Sequence, residues 1–316
     1  MRLTTRKRTA IALVAAVAAV SLAASAATRP GVDGTPTVVA KVATGTGPCS
    51  EAGGFGAVWV GNNGEDTVSR IDPATNTVTA RIKVGSGPCG IAIGSGSVWV
   101  DGYATNSVIR INPSTLKVTK RIPLGDAVWD VAYGFGSVWA TGSNFNFIAR
   151  INPRTNRIAK RINVPGFPGL ANLRAGAGAV WVGSLRGRRI WRIDPRRNRV
   201  RAIAVGKAPS GVAVSPSAVW VTNQQSNTVS RISTKTLRVV ATIRVGVRPS
   251  NPAVATDGTV FVPNSGDNSV SRIDPATNRV VSVTPVGLRP FPAASAFGDI
   301  WVPSSQGTEV YRLHTG

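Results

Sequence analysis

A single histidine, His314, occurs in the 316 residues, two positions from the C-terminus. Serine and threonine therefore have no imidazole base within any repeat, and nucleophilic catalysis of that kind finds no support. Acidic side chains are scarce: 14 Asp and Glu stand against 37 Lys and Arg. Beyond the N-terminus no window carries the apolar period of an amphipathic helix, so no Gly-rich loop opens a helix to cradle phosphate. Only two cysteines are present, Cys49 and Cys89.

What is abundant is one sentence written seven times. An apolar triplet centred on an aromatic recurs at Trp59, Trp99, Trp139, Trp181, Trp220, Phe261 and Trp301, with steps of 40, 40, 42, 39, 41 and 40 residues. A period near 40 means a repeat architecture. Each copy holds four short β-rich runs broken by Gly, Asn, Asp and Pro, which reads as antiparallel all-β. In the second copy these runs are 90–93, 97–101, 107–112 and 117–123. The triplet Val98-Trp99-Val100 does not alternate, so both of its faces must be covered. Stacked blades of a propeller do this. A solenoid would too, but it needs distinct capping repeats.

The chain ends favour a closed ring. The last copy stops after its third strand, at 311–316, whereas 35–44 (TPTVVAKVAT) matches the fourth-strand pattern ahead of the first copy. The expectation is an all-β, seven-bladed β-propeller of four-stranded antiparallel blades, its last blade completed by the N-terminal strand. Such closure leaves no open edge. Residues 1–27 read as a secretory signal peptide: a basic start (Arg2, Arg6, Lys7, Arg8), an apolar core over 10–23 and a small-residue cut at 24–26. Residues 28–34 read as a leader and 35–316 as a single propeller. The expected location is secreted or cell-envelope, with no transmembrane segment after cleavage and no lipid anchor.

The formal charge of +23, less the 4 cations of the export segment, leaves +19. Much of it is periodic. Arg70, Arg110, Arg150, Arg192, Arg231, Arg272 and Arg312 end the third strands, and Arg81, Arg121, Arg161 and Arg201 recur on the fourth. One reading is a solvated rim with arginine stems packed between blades. The other is attraction to a polyanion such as a cell-wall polymer or nucleic acid. Cys49 and Cys89 hold the same repeat position in neighbouring blades. A disulfide is allowed if their Cα atoms come within about 7 Å; two buried thiols are the alternative.

The motifs V-W-V at 58–60 and 98–100, T-V-S-R-I-D-P-A-T-N at 67–76 and S-V-S-R-I-D-P-A-T-N at 269–278 resemble those of the YVTN family of seven-bladed propellers. The likeness covers essentially the whole chain after the export segment and implies the fold rather than an activity. The chain also resembles the virginiamycin B lyase family in architecture. That resemblance implies a metal ion and a catalytic histidine in the propeller; the only histidine here is His314, two residues from the C-terminus, and no repeat contains another.

Strand direction places the lead-in loops and the second-to-third turns on one face, here the upper. The expected lip of the channel is Cys49, Cys89, Trp129, Leu170, Ser210, Ser250 and Phe291. Lys207, Arg248 and Arg289 lie in the lead-in loops of blades five to seven, with Glu51, Asp101, Asp126 and Asp130 on the opposite side. Tyr103, Phe145 and Phe167 add aromatic surface. Aromatic faces with a few charges suit a sugar, an anionic metabolite or a peptide; ordinary loop surface with a plugged channel is the plainer reading. Glu51 and Asp130 are expected to pair across the lip, for acid–base work or a divalent cation. No catalytic residue, metal ligand or cofactor is assigned. The chain reads as an exported, monomeric binding or interaction scaffold using its upper face. A lyase- or hydrolase-like enzyme at the same mouth is the alternative.

Overall fold

The computed structural model describes residues 34–315 apart from 86, 143, 145, 167 and 168. The export segment, all but the last leader residue, Phe145 and Phe167 lie outside the described residues. The chain forms seven antiparallel sheets of four strands, arranged as the blades of a propeller. In the first blade the strands are Pro48–Gly54, Ala57–Asn62, Thr67–Asp72 and Thr77–Lys83.

The unalternating triplet forms the second strand of each blade, and the reason is burial on both faces. Val58, Trp59 and Val60 are each fully buried. Trp59 packs with Val98 and Val100 of the second blade. Val58 and Val60 pack with Trp301 of the seventh. Burying one such indole contributes on the order of 4–6 kcal/mol of transfer free energy. Its Nε1–H needs a partner, and Trp59 donates to the Gly54 carbonyl at 2.9 Å. The pattern repeats at Trp99, Trp139, Trp181 and Trp301. Trp220 lacks the bond; its blade has Ser215-Pro216 where the others have a Gly- or Ala-ended turn.

The D-P-A-T-N segment is a turn held by its own side chains. Asp72 accepts the Ala74 N–H at 2.8 Å, and Asn76 takes the left-handed conformation with φ 58°, which Asn tolerates.

These turns are also where the third-strand arginines go. Arg110 lies over the Trp99 ring, 5.0 Å from its centroid, and reaches into the next blade. There its Nη1 donates to the Pro153 carbonyl at 3.0 Å and to Asn156 Oδ1 at 2.9 Å. Arg231 repeats both bonds on Pro275 and Asn278, and Arg150 bonds the Pro195 carbonyl at 2.8 Å. Arg70 and Arg192 stack on their own tryptophans. On the fourth strands, Arg121 and Arg161 bond the Val84 and Leu124 carbonyls of the preceding blade.

The ring closes as expected. Thr37–Ala43 pairs antiparallel with Glu309–His314, the third strand of the last blade. The same clamps cross the seam. Arg312 of blade seven reaches the Pro73 carbonyl and Asn76 Oδ1 of blade one, while Arg81 of blade one bonds the Thr44 carbonyl at 2.9 Å.

Two predictions follow from closure and clamping. Arg110→Ala removes a desolvated cation–π contact and strips the donor from two acceptors, so urea denaturation should register a loss of about 1–3 kcal/mol. Arg157→Ala, at an exposed strand position, should stay within about 0.5 kcal/mol. Deleting 35–44 leaves the last blade with an unpaired edge, and the product should aggregate in size-exclusion chromatography; a monomeric truncation as stable as the parent would rule out this closure.

Candidate functional site

The first strands line the central channel, and their register decides which side chains meet there. Pro48 pairs with Asn62, Val128 with Gly142, Leu170 with Ser184 and Pro209 with Asn223. The lip position is the next residue: Cys49, Cys89, Trp129, Ala171, Ser210, Ser250 and Phe291. Leu170 is thus corrected. It takes the place of the proline and is buried in the core, leaving Ala171 at the lip.

An upper cavity of about 710 Å³ occupies this mouth. Cys49 and Cys89 are joined by a disulfide on its wall, with Cα atoms 5.0 Å apart, tying blade one to blade two. Tyr103 and Trp129 face into the cavity with ring centroids 5.9 Å apart at 77°. Phe291, Arg248 and Arg289 line the other side. Both arginines have left-handed backbone, φ 54° and 51°, at the position filled by Gly47, Gly87 and Gly169 in other blades. A side chain there costs roughly 1–2 kcal/mol. Asn227 and Asn268 hold the strained segment by accepting the Arg248 and Arg289 N–H groups. Lys207 precedes the equivalent residue, Ala208, by one position; it is exposed and outside the cavity lining. Ser250 is buried, with its hydroxyl turned to the Pro263 and Pro290 carbonyls.

The carboxylates do not form the expected pair. Asp101 does line the upper cavity. Its Oδ1 accepts the Cys89 N–H at 2.6 Å and its Oδ2 has no protein partner. Asp126 accepts the Ala127 and Asn144 N–H groups and shapes its loop. Asp130 is buried below the lip at the waist of the channel. It accepts the Val131 and Leu173 N–H groups and an Arg174 guanidinium N–H at 3.2 Å, joining blades three and four. Asn172 and Asn251 hold the same waist position and also bond across to neighbouring blades.

Glu51 is one residue further down and belongs elsewhere. It lines a second, lower cavity of about 560 Å³ that shares no lining residue with the upper one. Glu51 and Asp130 therefore do not face each other across the lip. The bulge between Pro48 and Ser50 shifts the strand after the lip residue, which is why counting along the chain misplaces it. Arg174, which sequence reasoning missed, lines the same lower cavity. The signal was available: Arg174 pairs with Trp181 where the other six blades pair an alanine with their aromatic.

Burial raises the Glu51 carboxyl well above its ordinary 4.5, against the pull of the Arg174 charge and the Ala294 amide. Neither Oε reaches a protein donor in bonding geometry. Burial likewise raises Asp101 well above 3.8, against the Cys89 and Gly90 amides and helped by the Asp130 charge. Asp130 is also raised, burial outweighing Arg174. His314 sits at the end of its third strand, on the opposite face from the upper cavity. Its Nδ1 is 2.8 Å from Asp299 Oδ1, and Arg312 bonds the other oxygen of that carboxylate. Among the described residues no group of three His, Cys, Asp or Glu is placed to hold a metal ion. The metal and histidine implied by the lyase resemblance thus do not fit the residues at the upper mouth.

No family model matches the chain, and no curated protein matches it. Solved structures do. Virginiamycin B lyase from Staphylococcus aureus superposes with a TM-score of 0.77 at 18% identity, covering 87% of this chain and 98% of that one. A streptogramin B lyase gives 0.77 at 16%, covering 89% and 96%. The WD40 β-propeller domain of Doa1 gives 0.75 at 9%, covering 89% and 97%. At these identities the likeness is one of fold.

The raised carboxyls predict how stability varies with pH. A carboxyl whose folded pKa exceeds its unfolded value stabilises most below the unfolded value and loses that contribution as pH rises through the folded one. The windows open upward from 4.5 for Glu51 and 3.8 for Asp101. Urea denaturation from pH 4 to 8 should show the Glu51→Gln/Asp101→Asn variant gaining on the wild type as pH rises, by up to about 1.4 kcal/mol per pH unit for each group. Parallel profiles would contradict the assignment.

Proposed function

We propose that the chain is an exported, non-catalytic binding scaffold whose upper cavity takes a small anionic ligand bearing a ring. The observation that carries this is the pair Arg248 and Arg289 on adjacent blades, held at left-handed lip positions opposite the Tyr103–Trp129 aromatic corner. Two cations and an aromatic wall recognise a flat or sugar ring with a carboxylate or phosphate. The signal-peptide pattern and the Cys49–Cys89 bridge support an oxidising destination.

An enzyme of the lyase type has less support. One solved relative of this fold is a catalytically inactive virginiamycin B lyase variant with quinupristin, but its 18% identity carries the fold alone. The sole histidine here pairs with Asp299 away from the cavity. General attraction to polyanions, whether cell-wall polymer or nucleic acid, is weakened because Arg110, Arg150, Arg231 and Arg312 are engaged between blades.

The test is a thermal-shift screen over nucleotides, sugar acids and sugar phosphates, followed by titration of the compound that shifts the wild type most. Arg248→Ser/Arg289→Ser should abolish that shift while changing the free protein by no more than about 0.5 kcal/mol per site. Lys207→Ser should leave binding intact. Equal losses from Lys207→Ser would replace the localised site by diffuse attraction, whose salt dependence would then scale with every cation removed.

A further inference from the structure

Of the seven third-strand arginines, five reach across to the next blade. Arg110, Arg150, Arg231 and Arg312 grip its Pro-containing turn. Arg272, whose neighbour has no such turn, grips the carbonyls of Gly34 and Thr315 at the ends of the ring. Arg70 and Arg192 stay within their own blades, on Thr79 and on the Gly178 carbonyl. The turn that faces each arginine explains the difference. Its left-handed residue is Asn76, Asn156, Asn198 or Asn278 where the clamp forms, but Leu116 opposite Arg70 and Leu237 opposite Arg192. Leucine has no side-chain acceptor, and its branched side chain is a poor occupant of left-handed backbone.

The two unclamped junctions are made good in different ways. Between blades four and five, Asn172 Nδ2 donates to the Ser210 carbonyl at 3.1 Å. Between blades one and two the residue equivalent to Asn172 is Ser50, whose shorter side chain makes no such bond among the described residues. There the Cys49–Cys89 disulfide joins the two lips instead. The same pair of blades is otherwise tied by Trp59 packing on Val98 and Val100, by Arg121 on the Val84 carbonyl and by the Gly87 N–H on Asp66. Bonds of both kinds recur at other junctions, so the bridge is what distinguishes this one. Cys49 and Cys89 are half-buried and line the upper cavity, which opens them to a small reductant.

We propose that the Cys49–Cys89 bridge is a thiol-sensitive catch that stands in for the missing arginine clamp, so that its reduction loosens the ring selectively at the blade one–two junction. A dithiol supplies the two electrons. One of its thiolates attacks a cysteine sulfur and breaks the S–S bond, and its second thiol displaces that cysteine from the mixed disulfide. The dithiol leaves as a cyclic disulfide, and both cysteine sulfurs end as thiols. The upper mouth then loses the covalent tie in its wall, whatever that cavity binds.

Losing a cross-link also frees the unfolded chain, which lowers global stability without favouring any junction. The readout must therefore be local. Hydrogen exchange of the intact protein is followed by mass spectrometry under native conditions, oxidised and after treatment with dithiothreitol. Amides within Pro48–Gly54 and Ile91–Gly94 should exchange about tenfold faster on reduction, while those within Pro209–Val214 change by less than about twofold. Cys49→Ser/Cys89→Ser should match the reduced wild type and ignore dithiothreitol. Adding Leu116→Asn to that variant gives Arg70 its acceptor and should restore most of the lost protection. Leu237→Asn, the same change at the other junction, should not. The proposal is overturned if dithiothreitol fails to expose two alkylatable thiols in the native protein, if reduction leaves the junction amides as protected as before, or if it speeds exchange equally in all blades. Lack of rescue in a Leu116→Asn protein that still melts cooperatively would also overturn it, because the bridge would then not be replacing a clamp. The wild-type comparison decides the matter by itself should Leu116→Asn not fold.

Discussion

The contact on which this ring depends is an arginine laid across its own blade's tryptophan and hydrogen-bonded to the next blade's turn. Sheets stacked face to face share a large apolar surface, but apolar contact is non-directional and leaves neighbouring blades free to slide. The clamp fixes the offset. Trp99 is seated by its bond to Gly94, Arg110 is seated by Trp99 and Ser97, and the Asn156 turn is seated by Arg110. In blades two, three, five and seven the link is both packed and hydrogen-bonded, so each of these repeats sets the position of the next. This arrangement also accounts for why so basic a chain folds. Much of its charge is distributed around the ring and satisfied by carbonyl oxygens, with acidic side chains called on at Arg174 and Arg312.

Against that regular frame the residues of the candidate sites are exceptions. Arg248 and Arg289 replace glycine at left-handed positions, Trp129 stands where most blades have a small lip residue, and Glu51 and Arg174 interrupt two apolar rings. The cavity walls share a few of the blade contacts, namely the Cys49–Cys89 bridge and the Asp130–Arg174 pair, but not the arginine clamps. The lip and channel positions lie on the inner strand, while the clamps lie on the second, third and fourth strands. Substitution at lip positions that make no inter-blade bond is thus decoupled from the arginine clamps, the usual division between a rigid scaffold and a variable site.

The fold is legible from the sequence because the repeat averages over local ambiguity. One Val-Trp-Val run is a short apolar segment of uncertain type; seven apolar triplets 39 to 42 residues apart, five of them followed by the same Pro-containing turn, leave few architectures. Closure is legible too, since 35–44 and the missing fourth strand complement each other. The site is less so. Lys207 is displaced by one residue from the position of Arg248, which composition does not reveal. Leu170 is taken for a lip residue because blade four lacks the guiding proline. Glu51 is misplaced because a bulge in the first strand breaks the simple alternation of faces. Arg174 was detectable by aligning the copies on their aromatic residue, where it stands alone among alanines.

The pairing of Thr37–Ala43 with Glu309–His314 joins the earliest and latest parts of the propeller in one sheet. On a ribosome the outermost strand of the final blade is made first and waits for nearly the whole chain before its partner exists. Until then the six preceding blades form an open arc, with the inner faces of its two ends bare. The completed state is reached only by a contact of near-maximal sequence separation, and contacts of that kind form slowly. A chain that stops short of its last strand has nothing to close upon, and the edge of its first strand stays unpaired.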